Sequence, residues 1–447
     1  MIKETKKALE ECNRIQEEYS YFTAICEEEA LRQAEQAKGP LKGLFVSIKD
    51  CICVKGVEST AGSRILKGYK PLFDATVVKK LKEAGAVIIG KTAQDEFGFG
   101  SFNTNIGLDF PVPKNPFDKE RVTGGSSGGG AGLTQKASFR HVAVTESTGG
   151  SIEAPAAFCG VVGFCPTYGL VSRYGLISYA DSLDKIGLMS KKVADLKPVL
   201  EIISGPDKQD ATSLKETVPF ESNQNRFNIG IIKESLAEGI NPQVKKLAEK
   251  TAVALKTKGQ IVQEVSLPIT FAYSIPTYYI ISTSEASSNL ARFCGLRYGQ
   301  EDNLKHKTFN EYFTEMRSLH FNQESKRRII LGTFARMAGY RDAYYLKATK
   351  VRTKIIEEYK TLFRTFDVLI CPTMPIVAPK FSEVSHMSAL ENYLLDILTV
   401  GPNLAGIPHA SIPIGRVDNL PVGLMASADH LQEGKLLKFL QIIEDLQ

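Results

Sequence analysis

The sequence predicts an α/β fold organised as one large domain. Two observations carry the fold class. An apolar segment, LKGLFVSIKD (41–50), precedes an amphipathic helical segment, DATVVKKLKEAG (74–85), and a second apolar run, AVIIGKT (86–92). Strand, helix and strand in that order suggest parallel strands joined by a crossover helix. The 447 residues also combine 43% hydrophobic with 23% charged side chains, the balance of a folded globular chain rather than a disordered one. Only GPDKQD (205–210) resembles a loop boundary, so a single domain over 1–447 is expected, opening with a helical region at 1–38.

Each element follows from local pattern. Residues 1–38 are rich in Glu, Ala and Lys and read as two helices that stop near Gly39-Pro40. The strand in 41–50 draws its apolar run from Leu44, Phe45, Val46 and Ile48 and ends on Lys49-Asp50. Asp74 is the expected cap of the next helix, in which Val77, Val78 and Leu81 share a face. KNPFDKERVTGGSSGGGAG (114–132) is so punctuated by glycine that no regular structure is expected at its centre. HVAVTES (141–147) reads as a strand, followed by TGGS and a helix from Ile152. FNIGII (227–232) is a strand, 242–258 a helix, and 308–364 a long, charged, helical stretch. DVLICPT (367–373) and HASIPIG (409–415) are further strands, and 432–445 a closing helix.

Composition removes several function classes. Lys plus Arg number 55 against 50 Asp plus Glu, a net +5 that is too close to neutral for a protein that coats nucleic acid. No run of about 18 apolar residues occurs, so no membrane span is expected. The first residues, MIKETKKALEECNRIQEEYSYF, are charged and lack an apolar signal core, which makes a cytoplasmic location the expectation. The eight cysteines form no CxxC pair and the histidines no HExxH, so reduced, apolar thiols and no metal site are expected.

The densest chemical signal is GGSSGGG (124–130) with TGGS (148–151). A glycine loop can cradle phosphate, yet the GxxxxGK[ST] lysine is missing and no GxGxxG stands between a strand and a helix. Acyl transfer is the better reading, and it needs a nucleophile, a base and N–H donors for an oxyanion. Ser151 follows Gly149-Gly150, so the N–H groups of Thr148, Gly149, Gly150 and Ser151 can converge there, helped by the N-terminus of the following helix. A GxSxG match around Ser126 follows no clear strand and lacks the nucleophile-elbow context. No histidine stands out as its base. A desolvated lysine can serve instead, because burial favours the neutral amine, and Lys49 at the end of an apolar strand is a candidate. Pattern alone leaves plainer roles open: a surface lysine at a strand end, loop serines at 126 and 127, and a helix cap at 151.

SIKD (47–50), GGSSGGG (124–130) and TGGSIEAPAAFCGVVGFCPTYG (148–169) together resemble the amidase signature family, whose members use a Ser–Ser–Lys triad. The resemblance implies a large mixed central β-sheet covered by helices on both faces. It also implies Lys49 as base, Ser126 as a bridging serine on a cis peptide, and Ser151 as nucleophile. PTYYIISTSEASSNLARFCGLRYG (276–299), RRIILGTFARMAGYRDAYYLKATKVR (327–352) and LLDILTVGPNLAGIPHASIPIG (394–415) are similar to a narrower branch, the A subunits of glutamyl-tRNA(Gln) amidotransferases. That branch implies glutamine as ammonia donor, held by Arg328 and Asp396 with Tyr278 or Tyr279 nearby. It implies a γ-glutamyl ester on Ser151, and B and C subunits as partners. The B subunit would use ATP and magnesium to amidate Glu-tRNA(Gln) or Asp-tRNA(Asn). No cofactor is expected in this chain, and tRNA would be met mainly through the partner. A free-standing amidase for other small amides is the alternative, and a non-catalytic assembly subunit a third reading. The chain departs from the family pattern in four ways. It is one residue longer between Ser126 and Ser151, and it has Ser147 for the usual Asp, Glu153 for the usual Arg, and Cys294 where Asp is common.

Overall fold

Eleven strands hydrogen-bond into one mixed sheet in the computed structural model, which describes residues 1–301 and 308–446. The strands are β1 (Phe22–Ile25), β2 (Phe45–Lys49), β3 (Val87–Thr92), β4 (His141–Ser147), β5 (Val162–Cys165) and β6 (Lys185–Ser190). They continue as β7 (Asn228–Ile232), β8 (Ile261–Val265), β9 (Val368–Pro372), β10 (His409–Val417) and β11 (Leu420–Ser427). Their order across the sheet is β1-β3-β2-β4-β6-β5-β10-β11-β9-β7-β8. β2 runs parallel to β3 and β4, and β7 runs parallel to β8 and β9; the remaining pairs are antiparallel.

Helices cover both faces. They are α1 (Ile2–Tyr19), α2 (Glu27–Gln36), α3 (Thr76–Glu83), α4 (Gly128–Lys136), α5 (Glu153–Cys159) and α6 (Leu196–Ile203). α7 (Pro242–Thr257), α8 (Pro268–Asn289), α9 (Phe309–His320), α10 (Gln323–Arg336) and α11 (Lys347–Leu362) follow, with shorter turns and a last helix over Glu433–Glu444. Alternation along β2 and β3 shows the layering. Val46, Ile48 and Ile88 pack with Val77, Val78 and Leu81 of α3. Phe45, Val87 and Ile89 point the other way and pack with Ala8, Leu9 and Ile15 of α1. Every residue of β2 to β6 is consequently buried.

The structure differs from the sequence reading in three places and adds to it in a fourth. Residues 1–38 hold a strand between their two helices: β1 pairs antiparallel with β3. Asp74 does not cap α3, which starts after Ala75. Its carboxylate instead accepts the Lys55 N–H at 2.8 Å and pairs with Lys82 at 2.9 Å. The glycine run is irregular at its centre, as expected, and its last residues open α4 at Gly128. Packing requires those glycines: a Cβ on Gly129 would stand 2.6 Å from the Tyr21 carbonyl oxygen, and one on Gly132 2.3 Å from the Tyr21 ring. The 308–364 stretch is three helices, α9 to α11, joined by a π-helical turn before the last; α10 is opened by Asn322, whose side chain accepts from Ser325 N at 2.9 Å. All eight cysteines are free thiols, seven of them buried. Among the described residues, no helix is long and apolar enough to cross a membrane.

Candidate active site

β2 and β4 are parallel neighbours, so their C-terminal ends emerge side by side, a common place for chemistry in α/β sheets. β2 ends on Lys49 and β4 on Glu146-Ser147. The glycine-rich loop that opens α4 brings Ser126 to the same point, across a Gly125–Ser126 peptide that is cis, as the resemblance implied. Lys49 Nζ lies 2.8 Å from Ser126 Oγ. It also lies 2.9 Å from the backbone oxygen of Glu146 and 2.9 Å from Glu146 Oε2. Lys49 is thus a fully buried lysine, not a surface one. The hydroxyl of the neighbouring Ser127 donates to the same Glu146 carbonyl at 3.2 Å.

Ser151 sits in the turn between β4 and α5. That turn has a tight ceiling. A Cβ on Gly149 would come within 2.4 Å of the Tyr278 ring, and the Gly149 carbonyl accepts from Thr399 Oγ1 at 2.8 Å. The Gly150 N–H donates to Ser147 Oγ at 3.2 Å, which removes it from the donors open to an oxyanion. Ser147 also donates to Glu153 Oε2 at 3.2 Å, and Glu153 Oε1 lies 2.7 Å from His409 Nε2. Two departures from the family pattern, Ser147 and Glu153, are therefore bonded to each other directly behind the turn.

Ser151 lines one small, narrow cavity together with Gly149, Tyr278, Tyr279, Arg328 and Asp396. The residues named by resemblance thus converge although they are spread over much of the chain. Arg328, on α10, is buried; its Nε donates to Glu324 Oε1 at 2.8 Å and a terminal nitrogen to Tyr179 Oη at 2.9 Å. Its guanidinium also lies over the rings of Phe99, Tyr279 and Tyr393 at 5.3 to 5.4 Å. Asp396 accepts from Tyr279 Oη at 2.7 Å. Burial pushes its carboxyl above the ordinary range, while the bonds from Tyr279 and Ser101 and the Arg328 charge pull the other way. The two tyrosines divide the work: Tyr279 holds Asp396, and Tyr278 packs on Gly149.

Other members of this network escaped the sequence reading. Glu146 Oε1 accepts from Thr148 Oγ1 at 2.7 Å, and the same hydroxyl lies 2.9 Å from Asp184 Oδ1. Tyr179 and Glu324 bond Arg328, Tyr393 bonds Glu324, and Thr399 bonds Gly149. The one sequence hint for Glu146 is an acid near the end of the strand HVAVTES, and its partner Lys49 lies 97 residues away. Nothing local marks Tyr179 or Tyr393.

An amidase family model matches residues 4–437, and the chain belongs to the amidase family. Within it, the chain is similar to glutamyl-tRNA(Gln) amidotransferase A subunits. It is 48% identical over 410 residues to that of Koribacter versatilis, covering 90% of this chain and 84% of the relative. The Archaeoglobus fulgidus subunit is 45% identical over 423 residues, covering 94% and 90%. The crystal structure of the Thermotoga maritima subunit superposes with a TM-score of 0.82 at 38% identity, covering 99% of this chain and 90% of that one.

Proposed function

We propose that this chain is the glutaminase subunit of a tRNA-dependent amidotransferase, with Lys49 as base, Ser126 as proton bridge and Ser151 as nucleophile. The observation that carries the reading is the 2.8 Å contact between buried Lys49 and Ser126, beside a cavity lined by Gly125, Ser151, Arg328 and Asp396. A guanidinium and a carboxylate in one small cavity suit the α-carboxylate and α-amino group of glutamine, leaving its carboxamide to the serine.

In this reading Ser151 Oγ bonds the carboxamide carbon as its proton passes to Ser126, whose own proton passes to Lys49. The backbone N–H groups of Thr148, Gly149 and Ser151 receive the negative charge on the oxygen, since Gly150 N–H is already engaged. Collapse expels ammonia and leaves a γ-glutamyl ester, which water hydrolyses by the reverse proton route. The ammonia goes to a B subunit that uses ATP and magnesium to amidate Glu-tRNA(Gln) or Asp-tRNA(Asn), with a C subunit in the assembly. The continuous sheet supports reading residues 1–447 as one domain, and eight free thiols suit a reducing, cytoplasmic setting.

The test is ammonia release from glutamine by the chain with its B and C partners, ATP and Glu-tRNA(Gln). Ser151→Ala is expected to abolish release, and Lys49→Ala to cut it by about 10²–10⁴-fold. Normal turnover by the Ser151 variant overturns the nucleophile. Turnover of a simple aryl amide with no glutamine hydrolysis overturns the substrate.

A further inference from the structure

We infer that Glu146 is a positioning residue of this site: its carboxylate and its backbone carbonyl orient Lys49 toward Ser126, and the carboxylate becomes the counter-ion when the amine takes up the proton released by Ser151. This rests on the Lys49–Ser126–Ser151 reading above.

The orientation follows from hydrogen counting. A neutral amine has two hydrogens and one lone pair. Lys49 Nζ has three oxygen contacts: Glu146 O and Glu146 Oε2 at 2.9 Å each, and Ser126 Oγ at 2.8 Å. A carbonyl and a carboxylate can only accept, so they take the two hydrogens. The lone pair is left facing the serine hydroxyl, the one contact that can donate. One residue thereby aims the base, through its backbone and its side chain at once.

The charge argument is independent. Proton uptake would create an ammonium where the Lys49 side chain is 0% and the Glu146 side chain 4% exposed. A buried cation without a partner is costly, and here the partner is already in contact. Glu146 is itself fixed: Thr148 Oγ1 is 2.7 Å from Oε1. One hydroxyl hydrogen cannot serve both Glu146 and Asp184. Burial first, and the Glu146 charge second, push the Asp184 carboxyl well above its ordinary range, and the shorter of the two Thr148 contacts is the 2.7 Å one to Glu146, against 2.9 Å to Asp184. The Thr148 hydroxyl is therefore assigned to Glu146 and holds its carboxyl in place. The other titratable groups facing the pair are the Cys51 and Cys165 thiols, both pushed well up by burial, and Asp95, pushed up to about 6 by burial.

The atoms balance through the cycle. The Ser151 Oγ–H bond breaks as the Oγ–C bond forms, and the proton reaches Nζ through Ser126. When the C–N bond breaks, that proton returns through Ser126 to the departing nitrogen, which leaves as ammonia.

The test compares wild type, Glu146→Gln, Glu146→Asp and Ser151→Ala in the assembled complex, with glutamine kinetics from about pH 5 to 9. Glu146→Gln keeps the shape and removes the charge. It is expected to lower kcat by about 10²-fold with KM within about twofold, and to move the acid limb of kcat/KM to lower pH, because an amine without a facing carboxylate holds its proton less tightly. Glu146→Asp, which keeps the charge on a shorter arm, is expected to restore about tenfold of that loss. A Gln variant with wild-type kcat, or with lost kcat and an unmoved acid limb, overturns the inference. If the Gln variant misfolds, the Asp variant decides: wild-type kcat overturns it, and an intermediate kcat at unchanged KM supports it. An active Ser151→Ala would instead remove the site reading itself, so the two failures are told apart.

Discussion

Arg328 shows how an ion is made specific by its surroundings. Two of its edges are taken by Glu324 and Tyr179, so the fork has a fixed plane before any ligand arrives. A lysine would keep the positive charge and lose the plane and the ring contacts. Arg328→Lys is therefore expected to raise the KM for glutamine by about tenfold or more with a smaller effect on kcat. Initial-rate kinetics on the assembled enzyme check this, and an unchanged KM removes Arg328 from the binding site. Asp396 is the complementary case. Its carboxylate is held by a phenol rather than by a cation, which leaves its charge available to an ammonium group.

At the scale of elements, α4 inverts the usual rule for glycine. In an exposed helix, Gly→Ala gains up to about 1 kcal/mol. In α4 the added methyl of Gly129→Ala would sit 2.6 Å from Tyr21 O and 2.7 Å from both Ala93 N and Ala93 O, backbone atoms of the chain segments beside it. Gly129→Ala is expected to lower Tm by several degrees, as about 1–3 kcal/mol of overpacking would, and differential scanning calorimetry decides it. The same helix marks the limit of what the sequence could tell. A glycine run reads locally as a loop, and only the approach of Tyr21 and Ala93 from elsewhere makes it a helix. β1 was hidden for a related reason: FTAI is four residues between two strong helical patterns, and its strand character comes from β3. Long segments with clear periodicity, such as β4 and α7, were legible within a residue or so. Of the candidate site, composition marked the glycine- and serine-rich runs, while the resemblance rather than the spacing picked out Lys49, Ser126 and Ser151. Glu146, Asp184 and Tyr179 were not legible, because their partners are fixed by the sheet register rather than by neighbours in sequence.

For the molecule as a whole, buried ionisable groups tie stability to pH. His141, in β4, is enclosed between Thr134 and Ser47. Thr134 donates its hydroxyl hydrogen to Gly130 O at 2.8 Å, so the ring donates from Nδ1 to Thr134. Burial, with a smaller push from Lys191, lowers it from 6.5 to about 3. The unfolded chain therefore binds a proton that the native chain refuses between those values. His141 costs nothing above pH 6.5, and stability falls as pH drops below it, by about 1.4 kcal/mol per pH unit until the native ring titrates. Asp95, raised to about 6, works in the opposite sense, since its native form takes the proton first. A His141→Asn variant isolates the histidine term: it is expected to be less stable than wild type at pH 8, with the gap narrowing as pH falls from 6.5 toward 5. A gap in Tm that stays constant over that range would show that the native ring takes up a proton in place.

The strand order also has a consequence for how the chain is made. β5 has β6 on one side and β10 on the other, so Cys165 waits for His409 before its outer edge is paired. At about 5–20 residues per second, a ribosome leaves that edge open for tens of seconds after β6 has emerged. The sheet cannot close from its N-terminal half, and both Arg328 and Asp396 arrive late in synthesis. A nascent chain thus carries Lys49, Ser126 and Ser151 long before it carries the groups proposed to hold glutamine. The apolar centre of its sheet is exposed for the same interval, and that is where a chaperone that shields unpaired strands would act.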